Sequence, residues 1–310
     1  MRFDSMKQNK LVVNLIAFAL SFQTIAQTDT TFLKNHVAEI INTKDFRHFM
    51  NTPALNDVAE YIFNEFKQSA DSVFFQTFQI NGQTYRNVVA VYNGKSQETI
   101  VIGAHYDVCG MQNGADDNAS GVAGMLEIAR QIKGKSLSHR IELVAYTLEE
   151  PPFFRTDNMG SYVHAKSLAD AGRSVYGMIS LEMIGYFSDA KKSQDYPLGI
   201  LKLIYGNKGN FITLVNKFGK GKFAEKFTRE FKHTASIRTK RFTGPKLLPG
   251  VDFSDHLNYW TFGYSALMIT DTAFYRNKNY HMSTDTIDTL DFTRMGIVID
   301  DILRVILYSK

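Results

Sequence analysis

Five short stretches of this chain gather side chains that can hold a metal ion or move a proton. Residues 101–107 read VIGAHYD, an apolar run that stops at His105 and, two positions on, Asp107. That spacing sends both side chains to one face of a strand. An aspartate so placed can grip an imidazole by one ring nitrogen while the other faces a metal. After a glycine-containing loop come Asp116, Asp117 and Asn118, at the head of a helical segment. Asn118 suits the cap of that helix, because Asp and Asn accept bonds from free first-turn amides. Two adjacent aspartates exceed what a cap needs, and a carboxylate with two oxygens can bridge two cations. Glu149 and Glu150 follow the apolar run IELVAYTL. Metal-assisted hydrolysis needs two acidic roles: one carboxylate ligates, and another carries a proton from water to the leaving group. Glu182 sits inside the apolar GMISLEMIG, and a buried glutamate is rare unless paired or metal-bound. His281, in NYHMSTDT, lies in a late loop. Each alone has an ordinary reading: loop residue, helix cap, solvated strand end or surface histidine.

Such residues need a scaffold. Residues 30–42 and 55–68 carry apolar positions at helical spacing. SVFFQTFQI, RNVVAVYNG and ETIVIGAHYDV read as three strands separated by turn residues. ASGVAGMLEIARQI reads as a helix, RIELVAYTL as a strand, GSYVHAKSLADA as a helix and VYGMISLEMI as a strand. KLIYG reads as a short strand, and FITLVNKFGKGKFAEKFTREF as largely helical. SDHLNYWTFG, SALMIT and the tail from Thr289 give helix, strand and helix. Apolar strands alternating with helices predict an α/β sandwich with a mostly parallel, doubly covered sheet. The candidate residues then fall at the carboxyl ends of strands, where ligands bind in such folds. No repeat or linker interrupts the pattern. One domain is expected from about residue 27 to 310, with the helices of residues 30–70 packed on it.

Bulk properties narrow the partners. Of the 310 residues, 44% are apolar and 21% charged, enough for a sizeable core. Lys7 and Lys10 precede an apolar run from Leu11 to Phe22, and Thr24 and Ala26 supply small residues before a cleavage point. That is the layout of a secretory signal over residues 1–26. The run is too short for a membrane span, so a secreted or periplasmic protein cut near Ala26 is expected. Cleavage removes Arg2, Lys7, Lys10 and Asp4, taking the formal charge from +4 to +2. This is no nucleic-acid footprint. Cys109 is the only cysteine, so no intrachain disulfide forms.

Taken in order, His-x-Asp, Ala-Asp-Asp-Asn-Ala-Ser-Gly, Glu-Glu, a buried strand acid, Ser-Asp-His and a late histidine resemble the co-catalytic zinc exopeptidases of metallopeptidase family 28. That family includes leucyl aminopeptidases, glutamate carboxypeptidases and glutaminyl cyclases. The resemblance runs from about residue 85 to 290. His-Glu-x-x-His, the signature of another zinc-protease architecture, is absent from the sequence. The resemblance implies a single three-layer α/β/α sandwich around a mixed sheet of about eight strands. It makes Asp117 a ligand bridging two zinc ions, with His105 and Glu182 completing one site and Glu150 and His281 the other. Glu149 would be the general base and Asp107 the partner orienting His105. Three ligating carboxylates suit two divalent ions better than one, although the cyclases keep similar ligands around one zinc. The implied activity is an aminopeptidase acting on a peptide or small amide with a free N-terminus. A glutaminyl-peptide cyclotransferase and a non-catalytic binding module are the alternatives.

Two positions depart from the family pattern. Many relatives carry aspartate where Glu182 stands. Some aminopeptidases have a tyrosine, polarising the substrate carbonyl, where this chain has Val251; His256 is then either a substitute or a structural residue at a helix start. Cys109 reads as a small buried hydrophobe, and Gly110 and Gly114 as the residues that let the loop reverse. Pro151, Pro152, Phe153 and Phe154 form either an apolar wall beside the metals or a packed turn.

Overall fold

A computed structural model describes residues 27–219 and 221–308; the leader-like residues 1–26 lie outside the described part. Eight strands form one sheet: β1 (Ser72–Ile80), β2 (Gln83–Tyr92), β3 (Gly94–His105), β4 (Leu137–Tyr146), β5 (Val175–Glu182), β6 (Ile212–Lys217), β7 (Thr239–Gly244) and β8 (Ala266–Thr270). Their spatial order is β1-β2-β4-β3-β5-β8-β6-β7. The β4-β3-β5-β8 run is parallel, as is the β6–β7 pair; β1–β2, β2–β4 and β6–β8 are antiparallel.

Alternation along each strand splits the interior into two cores. Ile100, Ile102 and Ala104 of β3, with Ile179 and Leu181 of β5, face α1 (Thr30–Ile41), α2 (Thr52–Lys67), α3 (Gly121–Ile132), α6 (Gly221–Thr234) and α8 (Phe292–Tyr308). Val101, Val144 and Met178 face the other way, toward α4 (Gly160–Asp170) and α7 (His256–Thr261). This is the expected α/β/α sandwich. The first two helices start where short polar side chains cap them. Asp29 accepts from the amide of Thr31 at 2.8 Å, and Asn51 from Ala54 at 3.3 Å. Burying apolar helix faces of this kind contributes roughly 25 cal/mol per Å².

Two expectations fail in the β5–β8 region, and one strand was not expected at all. KLIYG is not a strand: Leu201–Tyr205 is a single helical turn, α5, with no buried residue. FITLVNK is not helical; it is β6, whose residues 212–216 are all buried. The helix begins only at Gly221, and Phe223, Phe227 and Phe231 then recur at four-residue spacing on the core face of α6. β7, TKRFTG, is an edge strand with little apolar character and gives no clear signal in the sequence.

Candidate metal centre and active site

All the sequence-predicted site residues converge at the carboxyl ends of the parallel strands. His105 is the last residue of β3 and Glu182 the last of β5. Both lie on the α4–α7 face of the sheet, by the parity of Val101 and Met178. Glu149 and Glu150 do not directly continue β4, which ends at Tyr146. Leu148, with φ of 61°, turns the chain so that both glutamates stay buried at the strand end. Met183 (φ 49°) and His281 (φ 57°) share this left-handed conformation. Each such non-glycine residue costs on the order of 1–3 kcal/mol and persists only where its surroundings fix it. Here all three flank or form the site.

Backbone ties hold the loops. The Asp107 carboxylate accepts from the amides of Glu149 (3.2 Å) and Glu150 (3.1 Å), and its Oδ1 stands 3.5 Å from His105 Nδ1. The carboxylate thus holds the glutamate pair, while His105 Nδ1 is hydrogen-bonded by the Asp107 backbone carbonyl at 3.2 Å. Asp285 accepts from the amides of Asp116 and Asp117, each at 3.0 Å. Asp116 is a structural residue: its oxygens accept from Gly185 (3.0 Å) and Asn277 (2.8 Å). Asn118 caps α3 through Gly121 (3.2 Å) and also accepts from Met183 (3.0 Å) while donating to Leu181 (2.8 Å), clamping the end of β5. Arg47, fully buried, donates to the carbonyls of Tyr106 (2.6 Å), Gly114 (2.8 Å) and Asn113 and so ties down the loop between His105 and Asp117. Gly114 turns that loop at φ 60°, and a Cβ there would meet the Asp117 carbonyl at 2.2 Å. Gly110 has open space around it and no left-handed φ, so the reversal does not require it.

The decisive geometry is at Asp117. Its Oδ1 lies 3.3 Å from His105 Nε2, which is 3.5 Å from Glu182 Oε2. Its Oδ2 lies 3.2 Å from His281 Nε2, which is 3.1 Å from Glu150 Oε2. One carboxylate thus faces two separate His–carboxylate groups. His105 Nε2, Asp117 Oδ2, Glu150 Oε1 and His281 Nε2 are buried and form no hydrogen bond within the protein. A tetrahedral zinc with bonds of about 2.0–2.1 Å spans ligand-to-ligand edges of roughly 3.3 Å, which matches these separations. The donor set fits zinc.

Electrostatics agree. Burial pushes Glu149 well above the usual carboxylate range, with Glu150 and Glu182 adding to the rise and His105 opposing it. Burial and then Asp117 raise Glu150 to about 8. Burial would lower His105, but Glu182, Asp107 and Asp117 together hold it well above 6.5. Burial would raise Asp117, yet His105 and His281 hold it below its ordinary value. Crowded carboxylates with too little positive charge are what a divalent cation would relieve.

Several residues were misread or missed. Cys109 is not a buried hydrophobe: it is half-buried, and its sulfur groups with ligand atoms of Glu150 and His281, all within 4.8 Å of one another. His256 is structural; it is buried, bonds the Val251 carbonyl at 2.8 Å and meets the Trp260 ring edge-on. Val251 itself is buried in the second core. Residues 151–154 form a packed turn: Phe153 meets Phe49 and Tyr85, and Phe154 meets Phe253. Asp255 carried no role in the sequence, yet it is fully buried, and burial raises it to about 7 against the opposing pull of His105 and Ser161. Tyr280 stacks on His281 at 3.8 Å, and its phenol is raised by burial and then by Asp117, Glu150, Glu149 and Glu182. A tyrosine next to the late histidine was the only sequence signal for it.

A sequence model described as Peptidase family M28 matches residues 87–306, which contain every residue of this centre. The chain belongs to peptidase family M28. This M28 chain is 42% identical over 286 residues to the uncharacterized protein YfbL of Escherichia coli (strain K12), covering 90% of this chain and 88% of that one. It is 27% identical over 224 residues to a probable leucine aminopeptidase of Arthroderma otae. That match takes in 67% of this chain and 53% of the fungal protein, so the M28 chain spans about half of that relative's length. In fold it resembles the crystal structure of Bacteroides thetaiotaomicron glutaminyl cyclase bound to N-acetylhistamine, with a TM-score of 0.69 and 18% identity over 93% of this chain and 100% of that one. The M28 fold is thus shared by relatives named for peptide hydrolysis and for cyclisation.

Proposed function

We propose that this M28 chain is an exported zinc-dependent aminopeptidase, built as one catalytic unit from about residue 27 to 310. The division of Asp117 between the His105–Glu182 group and the His281–Glu150 group carries this reading. It supports a place for two zinc ions, which Asp117 would share and which His105 with Glu182, and Glu150 with His281, would hold. Zinc, when bound, supplies an activated water and polarises the substrate carbonyl. Glu149, buried beside both groups and raised by burial, takes a proton from the attacking water and returns it to the leaving amine. Asp107 fixes the Glu149 amide and keeps His105 oriented. The ring of carboxylates favours a substrate with a free ammonium end. Export rests on the leader-like residues 1–26, and among the described residues no helix is long and apolar enough to cross a membrane.

The test compares zinc-loaded protein on aminoacyl anilides, their N-acetyl analogues and glutaminyl peptides. Cleavage of the free-amine anilides with resistance of the acetylated ones is expected. Equal rates on both would rule out an aminopeptidase. Cyclisation of the glutaminyl peptides without anilide cleavage would instead establish the cyclotransferase, and one zinc per chain would accompany it.

A further inference from the structure

Beside Glu182 the sheet opens into a recess that hydrolysis itself does not require. On the face carrying His105 and Glu182, α4 and α7 pack over β2, β5 and β8, and the part toward β6 and β7 is closed by aromatic loop residues, among them Tyr196, Phe253 and Phe274. The recess encloses about 680 Å³, part of it open to solvent. Its floor follows from register. Glu182 pairs with Thr270, Thr270 with Thr213, and Thr213 with Lys240. Paired residues share a face, so a polar row crosses four neighbouring strands from the metal centre to Lys240. At about 4.8 Å per strand the row spans roughly 14 Å. The adjacent row, Met268–Val215–Phe242, is apolar.

The far end of this row is rich in donors and, among the described residues, offers no unpaired carboxylate. Lys240 Nζ lies 3.8 Å and Arg276 Cζ 4.6 Å from the centre of the Phe211 ring. Thr213 Oγ1, Tyr196 OH and Arg276 Nη2 are buried with no hydrogen-bond partner. Thr213 and Arg276 are only 5% and 2% exposed. Among the described residues no carboxylate pairs with Lys240, and the nearby Asp195 is already taken by Lys202 and Lys278. Burial, then Arg238 and Arg276, push the Lys240 ammonium down to about 8, as expected for a cation without an anion. Unpaired buried donors are costly, and a carboxylate offers two oxygens to several donors at once.

We propose that this recess recognises a carboxylate of the substrate through Lys240, Thr213 and Tyr196, making the protein selective for acidic substrates. The proposal rests on the peptidase reading, which puts the scissile amide at the Glu182 end. The carboxylate can be the side chain of an acidic N-terminal residue or the C-terminus of a short peptide.

Calorimetric binding to the zinc-loaded full chain separates these. Glutamic acid α-amide and glutamine α-amide differ only at the γ-group; leucylglycine and its C-terminal amide differ only at the terminal carboxyl. The acidic member of at least one pair should bind about tenfold tighter. A difference in the first pair assigns the recess to the side chain, and in the second to the C-terminus. Lys240→Met keeps the apolar stem over Phe211 and should erase the difference without weakening the neutral member. Thr213→Val, which leaves the charge in place, should weaken the acidic member alone. No preference in either pair, or a preference that survives Lys240→Met, overturns the proposal. Acid preference with no hydrolysis of any peptide would sink the peptidase reading and leave the recess standing; hydrolysis without acid preference would do the reverse.

Discussion

Neighbouring carboxylates in this centre differ in what surrounds them, and on the proposed reading that difference separates binding from proton transfer. Asp117 places each oxygen near a different histidine and is held in its charged form. Glu149 has only a 4.0 Å approach to His105 and is pushed toward its neutral form by burial. Glu149→Gln should therefore keep zinc, measured by atomic absorption, while hydrolysis falls by roughly 10²–10⁴-fold. Asp117→Asn should lose zinc, because a neutral amide is a poor bridge. Equal zinc loss in both variants would reverse the two roles. Arg47 acts at one remove. Arg47→Ala would leave the buried carbonyls of Tyr106, Asn113 and Gly114 without a donor, at about 1–3 kcal/mol for each unsatisfied group. Denaturant unfolding should show a loss of several kcal/mol, and zinc affinity should drop because the loop carrying Asp117 is released. A variant of unchanged stability and affinity would show that Arg47 does not hold that loop.

Elements that bury one clear face were legible in the sequence, and those defined by a neighbour were not. β3, β4 and β5 are apolar runs with both faces covered, so their composition alone announced them. The residues of the proposed metal centre were legible as candidates because strand ends punctuate those runs with acids and histidines. β7 is an edge strand whose pairing with β6 is what makes it a strand, and α5 buries nothing that could set a periodicity. Asp255, legible only as the middle of Ser-Asp-His, was given no role because its burial is seen only in the packed structure. The recess was equally hidden, since its polar row is written across β5, β8, β6 and β7 rather than along any one of them. Docking of α1 brings its own pH dependence. His36 on α1 is buried against Phe32, with Nδ1 2.5 Å from the Tyr61 hydroxyl of α2, and burial lowers it to about 4. Its unfolded value is 6.5, so the unfolded chain takes up a proton first as pH falls. The contribution is complete above pH 6.5 and is lost between there and about 4, amounting to about 3 kcal/mol. Urea melts of zinc-free protein should show this fall. The double variant His36→Leu/Tyr61→Phe, which removes both partners, should flatten the slope; an unchanged slope would place the acid sensitivity elsewhere.

At the scale of the whole molecule, the sandwich brings at least five buried carboxylates, those of Asp117, Glu149, Glu150, Glu182 and Asp255, to one end of the sheet. Most are raised by burial and mutual repulsion. Zinc-free protein near neutral pH must either leave some of them protonated or bear their repulsion. Zinc would remove that conflict and bind the folded chain alone, since residues from three strand ends, the head of α3 and a late loop meet only there. Linkage then requires that zinc stabilise the fold by RT ln(1 + [Zn]/Kd), about 2.7 kcal/mol at a hundredfold excess over Kd. For a chain of this size that is a rise of several degrees in melting temperature. Chelation should reverse it. Because binding displaces protons from the raised carboxylates, the rise should shrink as the buffer is taken below neutral. Glu149→Gln should retain the rise and Asp117→Asn should lose it, so calorimetry reads the metal centre without any substrate. A melting temperature indifferent to zinc and chelator in the wild-type chain would mean that these carboxylates hold no metal, and the aminopeptidase reading would fall with it.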